Sequence, residues 1–345
     1  MNSLERVSLA LQHKEADRVP VYPLVNSIAR KTVNATYDQL ALDPELCARA
    51  YINITEQLGL DVICTLTDLS VEAADFGAKL IYPKEDAAYP DDKHRVIKTT
   101  DDYDKIKAID VKSGKRMMDH VKLCRLLMDA KGHDTPVVAF VFGPLGILSM
   151  LRGQEQMFMD LVLETEKIHK AMEEITKTLI EYCDLILETG VHAIMFDTLF
   201  ASQSILSNEM WDDIEGPYVE RLAKHIHDKG TMVMIHNCGN GIYFDSQIKR
   251  MKPEAISFLH VPADCKDFTE CKEKYGHLTT LIGCIDPCSL MTSSIDDVVS
   301  QCQKTIDLFK KDGGFILATG CEYPASLDFE LAEVICNTGK TYGKY

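Results

Sequence analysis

Thr231-Met-Val-Met-Ile-His-Asn-Cys-Gly-Asn240 is a short β-rich run ending in two soft metal-ligand side chains, and it follows the amphipathic stretch Met210–Lys229. This order of strand and helix recurs along the chain. Comparable runs stand at Arg18–Tyr22, Asp61–Leu66, Pro136–Phe142, His192–Asp197, Thr231–His236, Ala255–His260, Thr279–Ile285 and Phe315–Thr319. Longer stretches of helical periodicity, such as Ser294–Lys311, lie between them. Alternation of this kind implies parallel strands, and eight units without a doubly wound signature predict an α/β fold, a closed (β/α)8 TIM barrel. An open parallel sheet binding a dinucleotide would need a glycine fingerprint after its first strand, and the chain has none.

Three segments depart from a minimal barrel. Residues 2–14 read as an extra N-terminal helix placed to cover the barrel floor. Tyr82–Lys98 is polar and carries Pro83 and Pro90, so it reads as a hairpin or excursion around residues 82–98. Gln154–Glu188 is too long for one crossover helix and predicts two. No Ser/Gly linker or composition break divides the chain, which predicts one domain over residues 1–345.

An apolar fraction of 46% supports a large core, and 26% charged residues suits a globular enzyme. The formal charge of −16, with no basic cluster and the single Trp211, argues against nucleic-acid binding and against an anionic membrane surface. No apolar stretch approaches the roughly 18 residues of a spanning helix, and the N-terminus lacks the pattern of a secretory leader. The expectation is therefore a cytoplasmic protein without membrane insertion. Its 12 cysteines then read as reduced thiols, with Cys124, Cys183, Cys302 and Cys336 inside helical patterns as small hydrophobes.

Barrel enzymes carry their chemistry at the C-terminal ends of the strands. The polar residues standing there are Asn26, Asp68, Asp197, His236, Cys238, His260, Asp286 and Cys321. His236 and Cys238 are alternate residues of an extended segment and share a side. Cys321 lies 83 positions beyond Cys238, in Gly314-Phe-Ile-Leu-Ala-Thr-Gly-Cys-Glu-Tyr-Pro324. That spacing is wrong for a zinc finger but suits a catalytic zinc with three protein ligands and an open fourth position. Two thiolates and a neutral imidazole around Zn2+ sum to zero charge, so a substrate thiol could bind as thiolate. Asp197 reads as a functional carboxylate or a helix cap, and Asp286 as a functional carboxylate or a turn starter. His260 is a fourth ligand, a proton donor or a core histidine. Cys284 and Cys288 form C-x3-C without a partner pair, and Cys284 packs within its strand. Gly143-Pro-Leu-Gly146 lets a helix start close to the barrel mouth.

The order of these pieces resembles the uroporphyrinogen decarboxylase superfamily, and within it the zinc-dependent cobamide methyltransferases such as the methylcobamide:coenzyme M enzymes. The likeness runs from Glu5-Arg-Val-Ser-Leu-Ala-Leu11 and Asp17-Arg-Val-Pro20 through Gly143-Pro-Leu-Gly146, Leu151-Arg-Gly153 and Asp197-Thr-Leu-Phe-Ala-Ser202. It continues in Gly216-Pro-Tyr218, His236-Asn-Cys-Gly239, Gly283-Cys-Ile-Asp-Pro287 and Gly320-Cys-Glu322. The H-x-C…C set is the part specific to the methyltransferases. The decarboxylase grips its porphyrinogen with a basic motif after the first strand. Here that stretch is Tyr22-Pro-Leu-Val-Asn-Ser-Ile-Ala-Arg-Lys31, without the paired-arginine pattern.

The resemblance implies zinc at His236, Cys238 and Cys321, with methyl transfer between a corrinoid (cobalamin) on a partner protein and a small thiol such as coenzyme M. Asp197 and Asp286 are then the candidate catalytic carboxylates. Asn26, Ser202, His260, Glu322 and Tyr323 are the candidate substrate-binding residues. No corrinoid-carrier motif D-x-H-x-x-G occurs in the chain. Alternatives are a methyl-donor:corrinoid protein methyltransferase of the O-demethylase type, a decarboxylase-like lyase, and a non-catalytic metal- or corrinoid-binding barrel.

Overall fold

A computed structural model describes residues 1–345. Seven parallel strands form one curved sheet in the order β1 (Ile63–Cys64), β4 (Val137–Phe142), β5 (Ala193–Asp197), β6 (Met232–Asn237), β7 (Ala255–Phe258), β8 (Thr280–Ile285) and β9 (Phe315–Thr319). Between the first two lies a small antiparallel pair, β2 (Leu80–Ile81) and β3 (Tyr89–Pro90). This pair is the hairpin expected in the polar excursion, starting slightly earlier.

The eighth stave is the Arg18–Tyr22 run, and it is not a regular strand. Val21 bridges Leu317 in parallel. The Tyr22 N–H donates to Leu317 O at 2.8 Å and Leu317 N–H to Pro20 O at 2.9 Å. On its other edge Asp61 N–H donates to Val21 O at 2.9 Å. The run thus joins β9 to β1 and closes the barrel. Pro20 and Pro23 have no N–H to give, so the ladder cannot extend and only a single bridge forms.

Inside the barrel, alternate residues meet. Tyr22, Leu24, Cys64, Val138, Phe140, Met195, Met234, Ile282, Ile316 and Ala318 form one cluster with Val7 and Ala10 of the N-terminal helix Ser3–Leu11. Their neighbours Ile194, Phe196, Val233, Ile235 and Leu317 belong to the larger core under the outer helices. The helix covers the floor as expected. Arg6 pairs with Asp61 at 2.8 Å, Arg18 with Asp61 at 2.7 Å, and Thr280 Oγ1 donates to Ala10 O at 3.1 Å.

Gln154–Glu188 forms two helices, Gln154–Leu163 and Thr165–Leu187. The Met210–Lys229 stretch, read as one amphipathic unit, is also two, Asn208–Ile214 and Gly216–Asp228. Pro217 lacks the N–H that would continue the first of them. Strand β7 ends at Phe258, so His260 stands in a bend beyond the strand rather than at its last position.

Candidate metal centre

The inward register that builds the apolar plug continues upward into polar residues. Met234 is followed two positions later by His236, Met195 by Asp197, and Ala255 by Ser257, each on the same face of its strand. Parallel pairing sets these side by side: Asp197 is opposite His236, and His236 is opposite Ser257. The His236 ring lies over Phe140, with centroids 6.3 Å apart. A layer able to hold a metal therefore rests directly on a packed hydrophobic floor.

His236, Cys238 and Cys321 offer ligand atoms that all lie within 4.8 Å of one another. Zinc bonds of about 2.3 Å to sulfur and 2.0 Å to nitrogen fit a group of that size. Convergence of strands distant in sequence, inferred from their ends alone, is thus realised. The donor set itself fits zinc, since thiolate and imidazole favour that ion. His260 is not part of the group, which leaves three candidate protein ligands.

Each ligand is braced by its neighbours. His236 Nδ1 lies 3.0 Å from Ser257 Oγ. Asn237 is fully buried, donates to Thr198 O at 2.7 Å and accepts from Gly239 N–H at 2.9 Å, which fixes the turn bearing Cys238. Ser202 packs on that turn, where a Cβ on Gly239 would sit 2.4 Å from its hydroxyl oxygen. The Cys321 loop is tied to the first stave: Leu24 N–H donates to Thr319 Oγ1 at 2.9 Å, and Tyr323 N–H to Leu24 O at 2.8 Å.

These side chains and the carboxylates beside them shift one another's titration. Hydrogen bonding from Cys238, and then from His236, holds the Cys321 thiol below the usual range despite burial. The same bond to Cys321, together with burial, pushes Cys238 up. Burial opposes a charge on His236, but the Cys321 hydrogen bond and the nearby Asp197 prevail and raise its pKa. Burial pushes Asp197 up to about 6, assisted by Cys321 and opposed by His236. Burial likewise raises Glu322, against hydrogen bonds from Ser27.

The other expected residues divide between the pocket and the framework. Asp197 has one protein donor, Leu199 N–H at 3.0 Å. Glu322 takes the Ser27 N–H at 2.8 Å and the Ser27 hydroxyl, all on one oxygen. Asn26 donates its amide to Cys64 O at 2.8 Å, linking two staves. Asp286 caps the short helix Pro287–Leu290 by accepting Cys288 N–H at 2.9 Å, the turn role open to an Asp-Pro pair. Tyr323 is 1% exposed and donates its hydroxyl to Asp328 O at 2.9 Å. Asp68 is buried and paired with Arg116, away from any free role.

Two buried carboxylic acids carried no sequence signal. Glu215 accepts Leu145 N–H at 3.0 Å and Trp211 Nε1–H at 2.8 Å, and burial pushes it up to about 7. Glu72 accepts Phe142 N–H at 3.1 Å, and burial pushes it up to about 8. Both serve backbone donors at or just after the end of β4. There Gly143 is required, because a Cβ would stand 2.6 Å from Asp197 O. The helix Pro144–Arg152 starts at that glycine, as the Gly/Pro motif suggested.

The uroporphyrinogen decarboxylase (URO-D) family model matches residues 2–342. The methylcobamide:CoM methyltransferase MtbA of Methanosarcina mazei is 22% identical over 321 residues, covering 92% of this chain and 91% of that protein. A methylated-thiol–coenzyme M methyltransferase of the same organism is 24% identical, covering 88% and 80%. A uroporphyrinogen decarboxylase of Thermodesulfovibrio yellowstonii is 24% identical, covering 78% and 77%. In three dimensions, a methyltransferase from Methanosarcina mazei superposes with a TM-score of 0.80 at 18% identity, over 99% of both chains. With its seam, its mouth and almost its full length accounted for, this chain belongs to the uroporphyrinogen decarboxylase family.

Proposed function

We propose that this protein is a zinc-dependent methyltransferase that moves a methyl group between the corrinoid of a partner protein and a small thiol. The convergence of His236, Cys238 and Cys321 within 4.8 Å carries the reading. Bound there, zinc would supply the Lewis acidity that lets a thiol bind as its thiolate at neutral pH. The chain contributes the rest. His236, Cys238 and Cys321 give a neutral set around a divalent cation and leave one position for the acceptor. Asp197 is placed to receive the acceptor's proton, and Glu322 is held by Ser27 to face a polar group of the substrate. Two thiolate donors weaken the metal as an acid and keep a bound thiolate nucleophilic. That balance favours thiol methylation over ether cleavage.

The relatives bearing methylcobamide:CoM names support the same chemistry. Decarboxylation of a polycarboxylate is the weaker reading, because the two cations after the first stave already have acidic partners. Arg30 faces Glu85 at 3.6 Å and gives a hydrogen bond to Ser27 O, and Lys31 pairs with Asp328 at 2.8 Å. No helix is long and apolar enough to cross a membrane, consistent with a cytoplasmic enzyme meeting a corrinoid protein there.

The test mixes zinc-loaded protein with methylcobalamin and 2-mercaptoethanesulfonate (coenzyme M) or other small thiols, and follows loss of the methyl-cobalt absorbance. Thiol-dependent demethylation that disappears in Cys321→Ala is expected. If thiols are inert while methoxylated aromatics methylate Co(I) cobalamin, the O-demethylase reading replaces this one. Inertness towards both would leave the lyase and the non-catalytic barrel as the remaining readings.

A further inference from the structure

We infer that Ser257 is a positioning residue that sets the tautomer of His236, and through it the metal affinity of the site. The inference rests on the metal reading of His236, Cys238 and Cys321. Strand β7 reads Ala255-Ile-Ser-Phe258; Ile256 and Phe258 face the outer core, while Ala255 and Ser257 face inward. Ser257 is fully buried, yet its hydroxyl has a single protein partner, His236 Nδ1 at 3.0 Å. The parallel register makes the two residues direct cross-strand neighbours. Strand β7 is paired on both edges, with β6 and β8, so its backbone has no use for the hydroxyl.

A metal-ligating imidazole needs a lone pair on the ligating nitrogen and a hydrogen on the other. Ser257 Oγ as acceptor places that hydrogen on Nδ1 and leaves Nε2 for the metal beside the two sulfurs. The identity of the acceptor matters as well. Histidine ligands commonly donate to a carboxylate, which makes the ring a stronger donor and adds a negative charge. A hydroxyl orients the ring without that charge, so the two thiolates, imidazole and Zn2+ remain neutral together. Ser257 itself then adds no charge that opposes entry of a third thiolate from substrate.

The experiment measures zinc affinity by chelator competition for the wild type, Ser257→Ala, Ser257→Thr and His236→Ala, and for the double variant His236→Ala/Ser257→Ala. Ser257→Ala should weaken binding by about 10- to 100-fold, the usual effect of losing such a partner. Ser257→Thr, which keeps the hydroxyl, should restore binding to near the wild-type value. In the His236→Ala background, Ser257→Ala should add no further loss. A Ser257→Ala affinity within twofold of wild type, or an equal loss with His236 already absent, overturns the inference. Nitrogen-15 NMR of the zinc-loaded wild type, labelled at histidine, needs no variant. It should show the hydrogen on Nδ1 of His236. Zinc bound with the hydrogen on Nε2 overturns the role of Ser257 alone, whereas a wild type that binds no zinc overturns the metal reading with it.

Discussion

Asp197→Asn separates the needs of the site from the needs of the fold. Asp197 is 5% exposed, and burial lifts its carboxyl from 3.8 to about 6. Keeping the ionised form in the folded metal-free protein then costs about 3 kcal/mol, at about 1.4 kcal/mol per pH unit. The sign follows from which state releases its proton first. Below about pH 4 both states are protonated and the residue costs nothing. Between pH 4 and 6 the unfolded chain ionises first, so stability falls as pH rises, and above 6 the full cost is present. Asn cannot ionise and avoids it. Urea denaturation of the metal-free proteins should find Asp197→Asn more stable by about 3 kcal/mol at pH 7.5 and by only about 1 kcal/mol at pH 4.5. The same variant should keep its zinc while transferring methyl groups about 10²- to 10⁴-fold more slowly, the range for a lost proton-transfer group. A variant no more stable than wild type at pH 7.5, or a gap equal at both pH values, would refute the burial argument. Loss of zinc with the fold intact by circular dichroism would make Asp197 a ligand instead of a pocket residue.

The wild type should carry about one zinc per chain, as expected of a single three-ligand site. Cys238→Ala and Cys321→Ala should each lose most of it in metal analysis with unchanged circular dichroism. Zinc uptake by the metal-free protein should release the proton of Cys238, whose thiol is pushed up by Cys321 and by burial, because metals bind the deprotonated ligand. Calorimetry in buffers of different ionisation enthalpy reads that proton, and uptake without release would contradict a protonated Cys238. At the floor, Asp61→Ala should destabilise the barrel by about 3–5 kcal/mol, the effect of stranding buried charges. Asp61 accepts from Arg6, Arg18, Ser3 and the Val21 N–H, all within 2.9 Å, and a loss under about 1 kcal/mol in denaturant titration would show that the barrel floor does not depend on it.

Strand-and-helix alternation was legible because seven of the eight runs obey the hydrophobic patterns that parallel strands need, and the ligands stand where such strands end. The first stave was placed correctly in order but not in kind. Its two prolines allow one bridge where a ladder was expected, and only the hydrogen bonds of Leu317 and Asp61 show that it still closes the ring. Glu72 stayed hidden because its partner is the backbone N–H of distant Phe142, and Glu215 because its link to distant Leu145 is also through a backbone N–H, its one side-chain partner Trp211 lying on the preceding helix turn as any i,i+4 pair would. Ser257 was hidden for a related reason. A serine inside Ala-Ile-Ser-Phe reads as a weak strand former, and its meaning depends on the register that sets it opposite His236. Asp286 was ambiguous between two common roles, and the structure gives it the capping one.

That same register explains why the ligand set can be both distant in sequence and tightly held. His236 and Cys238 leave the barrel on β6, while Cys321 leaves on β9, the strand that meets the first stave at the seam. The seam is held by Val21 with Leu317 and by Leu24 with Thr319 and Tyr323, and the last two flank Cys321 in sequence. Position of the third candidate ligand therefore depends on closure of the ring, whereas His236 is set by the β6 ladders and Ser257, and Cys238 by the turn pinned by Asn237 and Ser202. Beneath them Phe140, Met195 and Met234 fill the interior, so the ligands cannot sink inward to relax. On the proposed metal reading, a site built this way holds its three donors within 4.8 Å of one another before the metal arrives. That is the preorganisation which a fourth, exchangeable ligand requires.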